Sequence, residues 1–354
     1  MTGIKLAGLA LTALRSNFAQ LKRPYKLTFA VTYKCQSRCL MCNIWKTKPE
    51  NELTLQEIRE FARKNTGFRW IELTGGEPFL RNDIVDIVKA FREACKGLYI
   101  ITIPINSLCD SDMLERKIGQ ILDAGVPRLS ITLSLDGYRE LHDRLRGVPG
   151  NFDRVMNMAR KLKEIQTRRK NLFFVFGYTM SKYNEGMLER TYESVRKELP
   201  HVTCDDFHVN LGQSSEMYYR NTDASINPER AEIAGELGWL IKKRRFQIGA
   251  IPLIEGVFLK KLVDYVSTGK LPMKSRCLDA SLFIDNQGNV FPSIMWNRKI
   301  GNIRDSGGDL SKMWHGGEAE SVRKDVREGR EPTAWTACEA YQAIVGNVWS
   351  FFSR

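Results

Sequence analysis

The stretch "TYKCQSRCLMCNIW", residues 32–45, decides how this chain is read. It carries Cys35, Cys39 and Cys42, three of only 8 cysteines in 354 residues. So few cysteines in so long a chain do not read as a disulfide framework, and thiols clustered this closely more often bind metal or do chemistry. A structural zinc site is closed and wants four protein ligands, usually as two C-x-x-C pairs. The spacing Cys35-x3-Cys39-x2-Cys42 offers three, with no histidine nearby. Three thiolates around a four-iron cluster leave one iron open, as a substrate-binding centre needs. A packed cysteine cluster, a zinc half-site and a non-catalytic iron–sulfur redox protein are the competing readings. An electron carrier usually saturates every iron with protein thiolates, which three cysteines do not do.

Working outward, the stretch follows the first of six apolar, β-rich runs. These are "KLTFAVT" (26–32), "RWIELTG" (69–75), "LYIITIP" (98–104), "RLSITLSL" (128–135), "LFFVFGYT" (172–179) and "FHVNLG" (207–212). Helical patterns separate them. Thr54 and Glu57 have capping-box spacing, and Asn151 reads as the N-cap of the helix that begins "NFDRVM". Six β–α repeats predict a parallel sheet with right-handed crossovers. In such sheets ligands bind at the carboxyl ends of the strands. The cysteine stretch, "GGEP", "INS" and "SLDG" follow runs one to four in turn, so all four fall on one rim.

Past residue 222 the pattern changes. Two helical segments lead to "SLFI" and "NVFP" around "DNQG", a hairpin signal with Gly288 in the turn. Three units are expected: an amphipathic N-terminal helix (1–24), an α/β core (25–222) and a small α+β C-terminal domain (223–354).

The apolar fraction of 43% and charged fraction of 27% are ordinary for a globular protein with a sizeable core. The net charge of +13 favours anionic partners, whereas the absence of a basic tail or arginine-rich arm argues against nucleic acid. No run approaches the ~20 apolar residues of a membrane span. Leu6, Leu9, Leu14, Phe18 and Leu21 fall near helical spacing among Lys5, Arg15, Lys22 and Arg23. Either this helix packs on the domain or it lies in a membrane interface. The expected location is cytoplasmic, with peripheral membrane contact as the second case.

C-x3-C-x2-C after the first strand, followed by "ELTGGEPFL" at the second, resembles the radical S-adenosylmethionine (SAM) superfamily. The resemblance covers roughly residues 24–215 and implies a partial (β/α)6 barrel of the TIM type. It implies that Cys35, Cys39 and Cys42 ligate a 4Fe-4S cluster, that SAM chelates the open iron, and that reductive cleavage yields a radical that takes hydrogen from substrate. It places Gly75, Gly76 and Glu77 at the methionine moiety and Met41 near the adenine. Asn106, Ser134, Asp136, Arg146, Tyr178 and Met180 are implied as further SAM contacts, Arg146 as a partner of the SAM carboxylate. A reducing partner such as flavodoxin or ferredoxin is implied as well.

The C-terminal segment resembles the SPASM/Twitch extensions that hold auxiliary clusters. Cys277 and Gly288 keep the pattern, but Ser293 stands where the next cysteine belongs, and the terminal set keeps Cys338 with Ala334 four positions before it. Either the module caps the barrel without a cluster, or Cys277 and Cys338 hold one with unusual ligands; two thiolates favour the first. Substrate contacts are expected from His208, Asn210, Gln213 and Glu216. The substrate is expected to be an anionic or lipid- or sugar-linked small molecule, with a peptide as the alternative.

Overall fold

The computed structural model describes residues 2–347 except 224, 225, 228, 246 and 248. The expected C-terminal domain therefore has its last residues, 348–354, outside the described ones. Among the described residues nine strands form one sheet: β1 Lys26–Thr32, β2 Trp70–Gly75, β3 Ile100–Ile105, β4 Leu129–Ser134, β5 Leu172–Met180, β6 Phe207–Leu211, β7 Ser281–Ile284, β8 Asn289–Phe291 and β9 Gly301–Asn302. The helices among the described residues are α1 Thr2–Arg15, α2 Leu55–Lys64, α3 Ile84–Ala94, α4 Ser111–Asp123, α5 Arg139–Arg146, α6 Asn151–Arg168, α7 Leu188–Glu198, α8 Arg230–Lys243, α9 Ala250–Thr268, α10 Ser311–Trp314, α11 Gly317–Arg327 and α12 Ala337–Val345.

The strand order is β6-β5-β4-β3-β2-β1-β7-β8-β9. Strands β1 to β6 run parallel, the arrangement expected of successive β–α units. The sheet curls as a partial barrel and does not close, since β6 and β9 are its edges. Alternate residues divide its two faces. Leu27, Phe29, Ile71, Leu73, Ile101, Ile103, Leu129, Ile131 and Leu133 enter the core under the helices. The opposite, inward face is mixed: Thr28, Glu72, Thr102, Ser130, Thr132 and Ser134 share it with Trp70, Ile100, Pro104, Phe173 and Val175.

The C-terminal hairpin is an extension of this sheet. β7 pairs parallel with β1, Lys26 opposite Ser281 through Phe29 opposite Ile284, and β8 and β9 follow antiparallel. α12 packs on both α9 and α1 and so joins the last described helix to the first.

Local chemistry sets the helix ends. Thr54 and Glu57 form the expected reciprocal capping box, a device that contributes about 1 kcal/mol. Asn151 is not the N-cap of α6. Gly150 takes that place, and the Asn151 side chain is buried, with its amide donating to the Asn106 carbonyl (2.9 Å). α5 was not foreseen. It ends at Gly147, whose φ of 65° suits the left-handed position after a helix.

Candidate active site

The cysteine loop is held from three sides. The backbone N–H groups of Arg38 and Leu40 donate to the Arg146 and Leu145 carbonyls at the end of α5 (both 2.9 Å). The N–H groups of Gly76 and Glu77 donate to the Thr32 and Lys34 carbonyls (2.8 and 2.7 Å). A Cβ on Gly75 would stand 2.1 Å from the Thr32 carbonyl oxygen, and one on Gly76 the same distance from that of Lys34. The glycine pair thus lets the end of β2 lie against the start of the loop, a role distinct from the expected approach to a methionine moiety. The third support, absent from the sequence reading, is the segment after β6. Asn221 donates to the Met41 carbonyl (2.8 Å), the Asn43 N–H donates to the Tyr219 carbonyl (2.8 Å), and the Tyr218 hydroxyl bonds Thr74 (2.8 Å).

The three thiols lie within one another's electrostatic reach. Among the described residues no three His, Cys, Asp or Glu side chains converge on one ion position, so the tight geometry of a closed zinc site is absent. Polar donors face the sulfurs: Ser37 Oγ lies 3.2 Å and Arg146 Nη1 3.6 Å from Cys39 Sγ, and Asn106 Nδ2 lies 3.8 Å from Cys35 Sγ. Such donors favour thiolate and tune a bound cluster. Burial opposes them, pushing the Cys35 and Cys42 thiols up to about 12, so metal loading must release protons.

A buried polar framework backs the loop. Glu77 accepts from the N–H groups of Phe79 (3.2 Å) and Asn106 (2.7 Å), and its burial raises the carboxyl to about 7. Asp136 is fully buried. It accepts from the Thr179 N–H (3.0 Å) and pairs with Arg146 Nη2 (2.6 Å). Burial raises its carboxyl, while the guanidinium pulls the other way. Arg146 is therefore already engaged by Asp136, which was not expected, yet its buried Nε has no protein partner. His142 joins this framework, with Nδ1 accepting from the Asp136 N–H (3.1 Å) and Nε2 facing Asn151 Oδ1 (3.1 Å). Asn184 donates to the Asp136 carbonyl (2.9 Å). His142 lies four positions before Arg146 in the sequence, but only the fold reveals its partners.

Other expected contacts separate. Ser134 ends β4 on the inward face. Tyr178 and Met180 lie on the opposite face in the helix-covered core, because residues of that parity on β5 point outward; the Tyr178 hydroxyl donates to the Asn184 carbonyl (3.1 Å). Gly177 and Thr179 take the inward positions. Met41 is buried against Leu141, Leu145 and Ile226. His208 on β6 contacts Glu255 Oε1 (3.2 Å) and the Tyr341 hydroxyl (3.1 Å) and stacks on Phe258. Asn210, two residues on, leaves its buried Oδ1 without a partner. Gln213 is buried behind the Asn221 support. Glu216 is drawn to the surface, where it accepts from Asn297 (2.8 Å).

The two C-terminal cysteines part company. Cys277 lies with Ser293 and Ala334 around a small solvent-connected cleft that Glu331 and Glu339 also line. Cys338 instead points to the inward face of the barrel, its thiol donating to Glu72 Oε1 (3.2 Å). Lys26 Nζ sits 3.7 Å from Glu72 and also donates to the Cys338 carbonyl. The four positions of the apparent cluster set therefore do not surround one space.

Residues 29–195 match the family model of the Radical SAM superfamily, and the fold is the one its enzymes share. Enzymes of this family use a 4Fe-4S cluster and S-adenosylmethionine (AdoMet). The chain is 27% identical over 330 residues to an AdoMet-dependent heme synthase of Methanosarcina barkeri, covering 88% of this chain and 87% of that one. It is 33% identical over 143 residues to a GTP 3',8-cyclase of Pectobacterium atrosepticum, covering 36% of this chain and 41% of the relative. A solved structure of anSMEcpe with bound AdoMet and a peptide superposes with a TM-score of 0.58 at 14% identity, covering 93% of this chain and 97% of that one. At that identity the likeness is one of fold, and it carries through the C-terminal extension.

Proposed function

We propose that this enzyme abstracts hydrogen from a carboxylate- or phosphate-bearing small molecule held inside the barrel, with Cys35, Cys39 and Cys42 as the cluster ligands. The observation that carries the substrate class is the row of polar side chains on the inward face, where Thr102, Ser130, Thr132, Ser134, Thr179, His208 and Asn210 are only partly buried. Such a face suits an oxygen-rich ligand better than an apolar one. The chain's net charge of +13 favours an anionic one. The residues around the loop fit the cofactors: three thiols on one loop within electrostatic reach of one another, donors facing two of them, and the partnerless Arg146 Nε.

When bound, the reduced cluster and AdoMet together supply hydrogen-atom abstraction. The chain's own groups do the rest. Asp136 holds the Arg146 guanidinium beside Cys39. Glu77 ties the end of β2 to the start of the loop after β3. Tyr33, Tyr218, Ile294 and the side chains packed on them, Met217, Tyr219 and Met295 among them, wall Cys35 and Cys42 from bulk water. A flavodoxin- or ferredoxin-like protein is the expected electron donor.

The near full-length similarity to an enzyme named for heme synthesis supports a small-molecule substrate. A peptide is the second reading, favoured by the peptide bound to a protein of the same fold. Anaerobic reconstitution with iron and sulfide, then dithionite and AdoMet, tests both, with 5'-deoxyadenosine as the readout. A carboxylate-bearing iron porphyrin or GTP should raise its yield above that with AdoMet alone. Stimulation by cysteine-containing peptides alone would overturn the substrate class. Cys35→Ala, Cys39→Ala and Cys42→Ala should each abolish the product, and undiminished cleavage in any of them would overturn the ligand assignment.

A further inference from the structure

A helix on a globular surface normally turns its apolar stripe inward and its polar face to water. α1 does the reverse. Its inward residues are Lys5, Leu6, Gly8, Leu9, Thr12, Ala13 and Ser16, several of them polar or small. Ala13 packs with Leu21, Tyr25 and Ala280, and Gly8 lies against the Arg69 guanidinium. The outward face carries Ile4, Ala7, Leu11, Leu14 and, through the turn beyond the helix, Phe18, spaced as one helical stripe. Ile4 is 78% exposed, Leu11 67%, Phe18 69% and Leu14 42%. Arg15 is the one charged residue on that face.

Charge complementarity decides what covers it. The first 49 residues contain no Asp or Glu. Lys5 shares its surroundings with Arg92 and Lys96, and Lys22 and Arg23 are exposed just beyond the stripe. Of the acids close by, Glu93 is exposed at the end of α3, and Glu320 is engaged by Arg323 and Gln20. A second copy presenting the same face would bring two such basic sets together. An anionic bilayer opposes them with phosphate and accepts the apolar stripe between its headgroups.

We propose that α1 docks this enzyme on anionic phospholipid membranes, with Ile4, Leu11, Leu14 and Phe18 inserted and Lys5, Arg15, Lys22 and Arg23 at headgroup level. The surface is separate from the cysteine loop, and no helix among the described residues is long and apolar enough to cross a membrane.

Flotation of the full-length protein tests it, using vesicles of phosphatidylcholine alone or with one-third phosphatidylglycerol. The protein should float with the anionic vesicles and stay in the soluble fraction with neutral ones. Leu11→Glu plus Phe18→Glu alters two side chains already in water, so the fold is kept; it should lower bound protein by at least about tenfold, as expected for losing two inserted apolar groups. Arg15→Glu plus Lys22→Glu should release the protein at lower salt. Equal recovery in the soluble fraction with and without anionic vesicles would overturn the proposal. So would binding that neither variant weakens, or a dimer in light scattering that Leu11→Glu plus Phe18→Glu dissociates while no vesicle binding is seen.

Discussion

Asp136→Asn isolates the charge of the carboxylate from its shape. Asparagine keeps an oxygen for the Thr179 N–H but turns an amide toward Arg146 Nη2, where the carboxylate stood at 2.6 Å. Asp136 is 0% exposed and the Arg146 side chain 14%. Removing one partner of a buried pair costs about 3–5 kcal/mol, and the slight exposure of the arginine places this pair near the lower figure. With an unfolding entropy of about 2.1 cal/mol/K per residue, about 3 kcal/mol lowers Tm by about 4 °C in a chain this long. The released guanidinium also shifts relative to Cys39, so iron retained after reconstitution should fall. Adding Arg146→Met to Asp136→Asn removes the stranded charge and should recover most of the lost Tm while leaving iron retention low. Thermal denaturation of the four proteins, with iron and sulfide analysis, gives both readouts. A Tm for Asp136→Asn within about 1 °C of the parent, or a double variant that merely sums the two single losses, would refute the reasoning.

Three further outcomes are expected. Gly76→Ala forces a Cβ against the Lys34 carbonyl oxygen and should cost about 1–3 kcal/mol with loss of bound iron; normal iron content and Tm would show that the loop does not need this contact. His142 is buried neutral, its pKa lowered to about 3 by desolvation, whereas an unfolded histidine takes a proton near pH 6.5. Its contribution is thus full above about pH 6.5 and is lost as pH falls from there toward 3, about 2 kcal/mol being gone at pH 5; urea midpoints at pH 7.5 and 5.0 should show that loss, and His142→Gln should shrink it. Reconstituted protein should hold about four irons per chain, and Ser293→Cys plus Ala334→Cys should not raise this to eight, because Cys338 is held at Glu72 away from the cleft; a count near eight in either protein would show otherwise.

The strands were legible because a parallel sheet buried on its outer face writes continuous apolar runs into the chain. The run 26–32 is strand β1 to the residue, and the other five agree within two positions. Thr54 and Glu57 were legible for a related reason, since a capping box is wholly local. What escaped depends on distant partners. Tyr178 and Met180 read as cavity residues by position in the strand, but parity alone decides their face, and no local signal sets it. α5 has three basic and three acidic or imidazole side chains in eight residues, and its helical character comes from docking against the cysteine loop and α6. Nor does a chain show that the neighbour of "KLTFAVT" on one side lies more than 250 positions away.

That last pairing has a kinetic price for the cell. Ser281–Ile284, which completes the hydrogen bonding of β1, follows 255 residues after Lys26. At about 5–20 residues per second, synthesis of the intervening chain takes on the order of 13–50 s. During that interval one edge of β1 has no strand to pair with, and Lys26, fully buried in the finished protein beside Glu72 and Gln342, has no enclosure to enter. A positive charge parked on an unfinished strand edge discourages another strand from adding there. By that rule Lys26 would disfavour such an addition until the hairpin arrives to cover it.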